Sequence, residues 1–141
     1  MRVFRTVVYT VLILAILVTL IVKHRQRMAM SPGGKTPASV ALADARKLHI
    51  PAWLLIHSPI CQACEEMEKV YEKLEPDFAG KVKFVKVDFN NPAGQDLVRS
   101  FNVRLVPTSV FIGSDGKVVA KKIGAMPLDE TKTILIGLRK Q

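Results

Sequence analysis

Apolar runs and stretches of helical spacing succeed one another along the chain, and their order predicts its elements. The first apolar run, Thr6 to Val22, holds seventeen residues without a charge. As a helix it would be about 25 Å long, just short of a hydrocarbon core of about 30 Å. Phe4 and the snorkelling side chains of Arg5 and Lys23 can make up the difference. Lys23-His24-Arg25-Gln26-Arg27 follows directly, with no small-residue cleavage pattern, so an uncleaved anchor is expected rather than a signal peptide. Met28 to Pro37 carries Pro and Gly without periodicity and reads as a linker. The expected organisation is an anchor with basic flanks over residues 1–27, a flexible linker over 28–37 and a folded domain over 38–141.

Within the domain, Ala38 to His49 predicts a helix with Val40, Leu42, Ala45 and Leu48 inward, ended by Pro51. Ala52 to His57 is an apolar run that reads as a buried strand. Gln62 to Phe78 places Met67, Val70, Tyr71, Leu74 and Phe78 on one helical stripe, and Gly80 closes that region. Val82 to Phe89 predicts a second strand, with Lys83 and Lys86 interspersed. Asn91-Pro92 is a helix-start signal, and Leu97, Val98 and Phe101 face inward in the short helix that follows. Thr108 to Ile112 is a third strand, Gly113-Ser114-Asp115-Gly116 a hairpin turn, and Lys117 to Ile123 a polar returning strand fit for a sheet edge. A last helix from Pro127 to Leu138 would bury Leu128, Ile134, Leu135 and Leu138. The order α-β-α-β-α-β-β-α predicts an α/β domain: a mixed sheet of four strands with helices on both faces.

Charge changes the picture only once it is divided. The net charge is +9, from 21 basic and 12 acidic residues. Arg2, Arg5, Lys23, Arg25, Arg27 and Lys35 lie in the first 35 residues, which hold no acid. The basic excess therefore flanks the apolar run, where it meets anionic headgroups, and membrane lipid is the expected partner of residues 6–22. No basic stripe with interleaved aromatics follows, so nucleic acid is not an expected partner. The flanking charges are nearly balanced, with a slight excess after the run, which leans toward a cytoplasmic domain.

The chemistry lies in Cys61-Gln62-Ala63-Cys64, the only cysteines of the chain, set where a predicted strand gives way to a predicted helix. Unpaired N–H groups at a helix start stabilise a thiolate, the reactive form of cysteine. Cys64, one turn later, is close enough to form a disulfide with Cys61. That arrangement is a two-electron redox switch that needs no further cofactor. Cys61 is the candidate nucleophile: it attacks a disulfide, and Cys64 then attacks Cys61 to release the reduced product. A purely structural disulfide is the weaker reading, because closing a four-residue loop removes little chain entropy. No metal is expected: zinc wants four ligands, and two cysteines with three scattered histidines make a thin site for zinc or copper(I). His57 and Lys86 are candidates for tuning the thiols. The acids at Glu65, Glu66 and Glu68 favour the first helical turns, with Glu65 set to pair with Lys69.

The chain resembles the thioredoxin family over about residues 38–140. Three separated signals carry the resemblance: Cys-x-x-Cys at a strand-to-helix junction, Val106-Pro107-Thr108, and the Gly-x-x-Gly hairpin followed by Lys122-Ile123-Gly124-Ala125. It implies a thioredoxin-like fold and a protein-disulfide oxidoreductase acting on protein thiols and disulfides. It also implies a cis bond before Pro107, exposing the backbone of Val106 to an extended substrate. Val106, Pro107 and Ile60 are then the candidate substrate-binding residues. The chain departs from the family at two telling positions. Ile60 replaces the usual tryptophan, and Leu55 replaces the buried acid that accepts the proton of the second cysteine. Glu65 or water is the candidate to relay that proton instead.

The resemblance is to anchored bacterial thioredoxin-like proteins, whose domains commonly face outward. It implies an extracytoplasmic domain, in the periplasm or on the outer face of the membrane, against the lean of the flanking charges. A reductase is the expected direction, resupplied there by a membrane electron-donor protein. The rival readings are a redox-inactive thioredoxin-like binding module and a copper or zinc carrier.

Overall fold

The structure is a computed structural model and describes residues 14–19 and 36–139. Residues 14–19 are helical. The rest of the expected anchor, and all of the linker before Thr36, lie outside the described residues. Among the described residues no helix is long and apolar enough to cross a membrane. The chain divides after Gly34, and the fold below is that of the second unit.

A reciprocal cap opens the domain. Thr36 Oγ1 accepts from the Ser39 N–H at 3.1 Å, and Ser39 Oγ accepts from the Thr36 N–H at 2.8 Å, which satisfies two donors at the start of helix α1, Pro37–Lys47. The helix ends two residues earlier than its apolar spacing predicts. His49 adopts φ 52°, and the His49 and Ile50 N–H groups donate back to Arg46 O and Ala45 O. This left-handed turn closes the helix before Pro51 is reached. Leu48, past that end, is exposed, as is Val40; only Ala45 of the predicted inner set is fully buried.

Strand β1, Ala52–His57, leads into helix α2, Gln62–Phe78, and strand β2, Lys83–Asp88. Asn91 then caps a 3-10 turn at Pro92–Gly94 through its side-chain oxygen, and helix α3 follows at Gln95–Ser100. Strands β3, Thr108–Ile112, and β4, Val118–Ile123, form the hairpin, and helix α4 spans Leu128–Leu138. The sheet order is β2-β1-β3-β4, parallel between β1 and β2 and antiparallel elsewhere. β4 is largely exposed, as its polar sequence predicts for an edge.

Strand β1 is buried on both faces, so its alternating side chains divide the core into two layers. Trp53 and Leu55 pack with Met67, Tyr71, Leu74 and Phe78 of α2 and with Leu135 and Leu138 of α4. Leu54 and Ile56 pack on the other face with Ala45 of α1 and Val98 of α3. The helices therefore cover both faces of the mixed sheet, as the element order predicts. This packing delivers the C-terminal end of β1 and the N-terminal end of α2 to one rim of the sheet.

Candidate functional site

At that rim the chain turns through Ser58-Pro59-Ile60 before α2 begins. Cys61 is the N-cap residue, with extended backbone (φ −116°, ψ 114°). The Cys64 N–H donates to Cys61 Sγ at 3.2 Å and to Cys61 O at 3.0 Å, and the Glu65 N–H donates to Cys61 O at 3.2 Å. Cys61 thus stands where the helix presents unpaired donors, and its sulfur accepts one of them. It is half-buried, whereas Cys64 is 1% exposed. Burial pushes the Cys64 thiol up to about 11, helped by its contact with the Cys61 side chain and by the negative charge of Glu68, and partly offset by a backbone hydrogen bond at Ser58.

The loop before β3 faces the cysteines. The Val106–Pro107 bond is cis, and Val106 O lies 3.9 Å from Cys61 Sγ, within reach of a weak S–H donor. Two bonds hold the loop: Thr108 Oγ1 donates to Leu105 O at 2.6 Å, and the Gly124 N–H donates to Pro107 O at 2.8 Å. Gly124 has φ 94°, a conformation that favours glycine, as the chain leaves β4 beside Pro107. Apolar side chains surround this loop without being covered. Ile60 is 91% exposed, and Leu105 and Ile123 are each 62% exposed. The arrangement offers a half-buried sulfur, an adjacent backbone carbonyl and an apolar rim, which suits an extended peptide carrying a sulfur atom.

The structure sorts the tuning candidates differently from the sequence. Glu65 turns to Lys69 at 3.0 Å, and both side chains are about two-thirds exposed. His57 and Lys86 do meet, but around Glu68. His57 Nδ1 lies 2.6 Å from Glu68 Oε1, a close contact whose alignment falls short of a hydrogen bond. Lys86 Nζ lies 3.7 Å from the same oxygen, 3.9 Å from Glu72 Oε1 and 5.7 Å above the Tyr71 ring. Glu68, expected only to favour the first helical turns, is therefore the acid that meets both His57 and Lys86. Its signal was available: it lies one helical turn beyond Cys64, on the same face.

Leu55 is fully buried, and its register partners are Lys86 on β2 and Ser109 on β3. Ser109 is buried too, and among the described residues its hydroxyl has no hydrogen-bond partner. Among the described residues no three His, Cys, Asp or Glu side chains gather into a group fit to hold a metal.

Comparison with known proteins returns one family. The thioredoxin family model matches residues 43–136. Over 78 residues the chain is 40% identical to a thioredoxin of Haemophilus influenzae, a match that covers 55% of this chain and 70% of that protein. It is 34% identical over 85 residues to thioredoxin C-2 of Corynebacterium nephridii, covering 60% and 76% of the two chains. A thiol:disulfide interchange protein of Synechococcus elongatus is 27% identical over 92 residues, covering 65% of this chain and 46% of that one.

Proposed function

The chain belongs to the thioredoxin family of thiol–disulfide oxidoreductases, and on that premise we propose that it is a membrane-tethered reductase of protein disulfides. The observation that carries the reading is the pairing of Cys61 Sγ, capped by the Cys64 N–H, with the Val106 carbonyl of the facing loop. Cys61 attacks the substrate disulfide while the substrate backbone lies along Val106 and Pro107 and its side chains rest on Ile60. The S–S bond of the substrate breaks and a Cys61 mixed disulfide forms. Cys64 then attacks Cys61 Sγ, the second substrate sulfur leaves as a thiol, and the pair is left oxidised.

The reducing direction is supported by the similarity to thioredoxins. The thioredoxins to which the chain is similar give the reference for a reductant, a couple of low potential. In the full chain, held in detergent micelles and equilibrated with redox buffers, the Cys61/Cys64 couple is expected near thioredoxin's potential, about −270 mV. A value near −120 mV would mark an oxidant and overturn the assignment of direction.

Tethering is supported by the charge-free run over residues 6–22 and by its described part. Residues 14–19 are helical, with Leu14, Ile16, Leu17 and Val18 about half exposed or more. The Thr19 hydroxyl donates back to Ala15 O and Ile16 O, so it needs no partner from water. Residues 1–27 serve as the anchor in lipid, 28–37 as the linker and 38–141 as the catalytic domain, which faces away from the cytoplasm. Oxidised by each turnover, the pair is resupplied by a membrane electron-donor protein. A membrane-impermeant maleimide applied to intact cells is expected to label reduced Cys61; labelling only after lysis would place the domain on the cytoplasmic side.

A further inference from the structure

The second half of the exchange asks for something that Cys61 cannot supply. Cys64 must lose its proton before it can attack, yet it is 1% exposed. We propose that Glu68 takes this proton, with His57 and Lys86 positioning its carboxylate, so that a cluster at the rim of the sheet serves as the base for the buried thiol. The inference rests on the thiol–disulfide reading above and assigns a residue to one step of it.

Three observations carry it. Cys64 and Glu68 are one turn apart on α2, where side chains are neighbours about 5–6 Å apart at Cβ. That spacing lets a proton pass directly or across one water. The Glu68 side chain is 28% exposed, so it joins the buried thiol to solvent. Finally, the carboxylate is held from two strands, by His57 Nδ1 at 2.6 Å from the end of β1 and by Lys86 Nζ at 3.7 Å from β2. The remaining charged groups near the cluster are Glu65, Lys69 and Glu72 on α2 and Asp88, the β2 partner of His57 in register. Glu65 is engaged by Lys69 at the surface, and Asp88 accepts from the Asn90 N–H at 2.9 Å. Glu68 is the acid that faces both His57 and Lys86.

The step balances. The Cys64 S–H proton passes to the Glu68–His57 pair, the Cys64 thiolate forms a bond to Cys61 Sγ, and the bond from Cys61 to the substrate sulfur breaks. The substrate sulfur is reduced and the cysteine pair oxidised. The proton leaves to solvent or to the departing thiolate from the exposed side of Glu68.

The sign of one substitution separates this role from a purely electrostatic one. Neutralising a carboxylate beside Cys64 favours its thiolate, which alone would speed release; removing a base slows it. The experiment uses the reduced full chain in detergent micelles and di-eosin-labelled oxidised glutathione: attack by Cys61 separates the two eosins and raises the fluorescence, and release of the second half from Cys61 then lowers the anisotropy. Glu68→Gln is expected to leave the first phase, attack by Cys61, unchanged. It should slow the second phase by at least about tenfold at pH 7 and recover toward about pH 10, where hydroxide removes the proton. Glu68→Asp should keep part of the rate. A second phase that is faster, unchanged, or slowed equally at every pH would overturn the proposal. Absence of the first phase in the unaltered chain would instead count against the thiol–disulfide reading itself.

Discussion

Cys61→Ser is expected to abolish reduction of a protein disulfide, with turnover falling by at least about a thousandfold, as when other enzymes lose their nucleophile. A serine hydroxyl at the same N-cap still accepts the helix N–H, so the fold should be kept while the nucleophile is lost. Cys64→Ser should behave differently. Cys61 still attacks, but nothing resolves the product, so a mixed disulfide between Cys61 and the substrate should accumulate. Non-reducing electrophoresis with mass spectrometry of the trapped species checks both outcomes. A double Cys61→Ser, Cys64→Ser chain that retains full biological function would reject catalysis in favour of a binding module that uses only the apolar rim around Val106.

Trp53→Ala is expected to cost about 4 kcal/mol of folding stability. Trp53 is fully buried on β1. Its ring lies 5.0 Å from Tyr71, 5.2 Å from Phe84 and 5.6 Å from Phe111, so it joins α2, β2 and β3 in one aromatic cluster. Such contacts add to the area buried, and a cavity of this size cannot close against a sheet held on both faces. A loss of that order is a large part of a typical domain's 5–15 kcal/mol and should lower the melting temperature by about 20 °C. Trp53→Phe is the informative control. The indole N–H has no hydrogen-bond partner among the described residues, so replacing it with another ring should cost only about 1 kcal/mol. Thermal unfolding followed by circular dichroism measures both. Equal losses for the two variants would mean that the indole nitrogen, and not the ring contacts, holds the cluster.

Much of the fold could be read along the chain because its signals are local. The stripe Met67, Tyr71, Leu74 and Phe78 lies on one side of any α-helix, and all four are buried. The Gln62–Phe78 and Thr108–Ile112 elements have the bounds that their spacing and flanking residues predict. The errors fall where a local signal meets a non-local one. Leu48 fits the apolar spacing of α1, but the left-handed turn at His49 leaves it outside the helix. Glu65 is nearer to Cys64 in sequence than Glu68. Sequence distance, however, does not show that Glu65 points to Lys69 in solvent while Glu68 meets His57 and Lys86 from two strands.

The sheet-and-helix order and the redox pair are legible along the chain, since a cysteine at a strand-to-helix junction and another one turn later are fixed by the geometry of a single segment. The sequence also carried the Val-Pro-Thr signal through its resemblance to known chains. Which groups surround that pair depends on how distant elements pack. The parallel register sets Leu55 beside Lys86 and His57 beside Asp88, the antiparallel register sets Leu55 beside Ser109, and the β3 loop brings Val106 O to Cys61 across 45 residues of chain. Periodicity constrains which face of one element a side chain occupies, but not what the neighbouring element places opposite it. That depends on register and packing among elements distant in sequence, and it is there that the cluster around Glu68 arises.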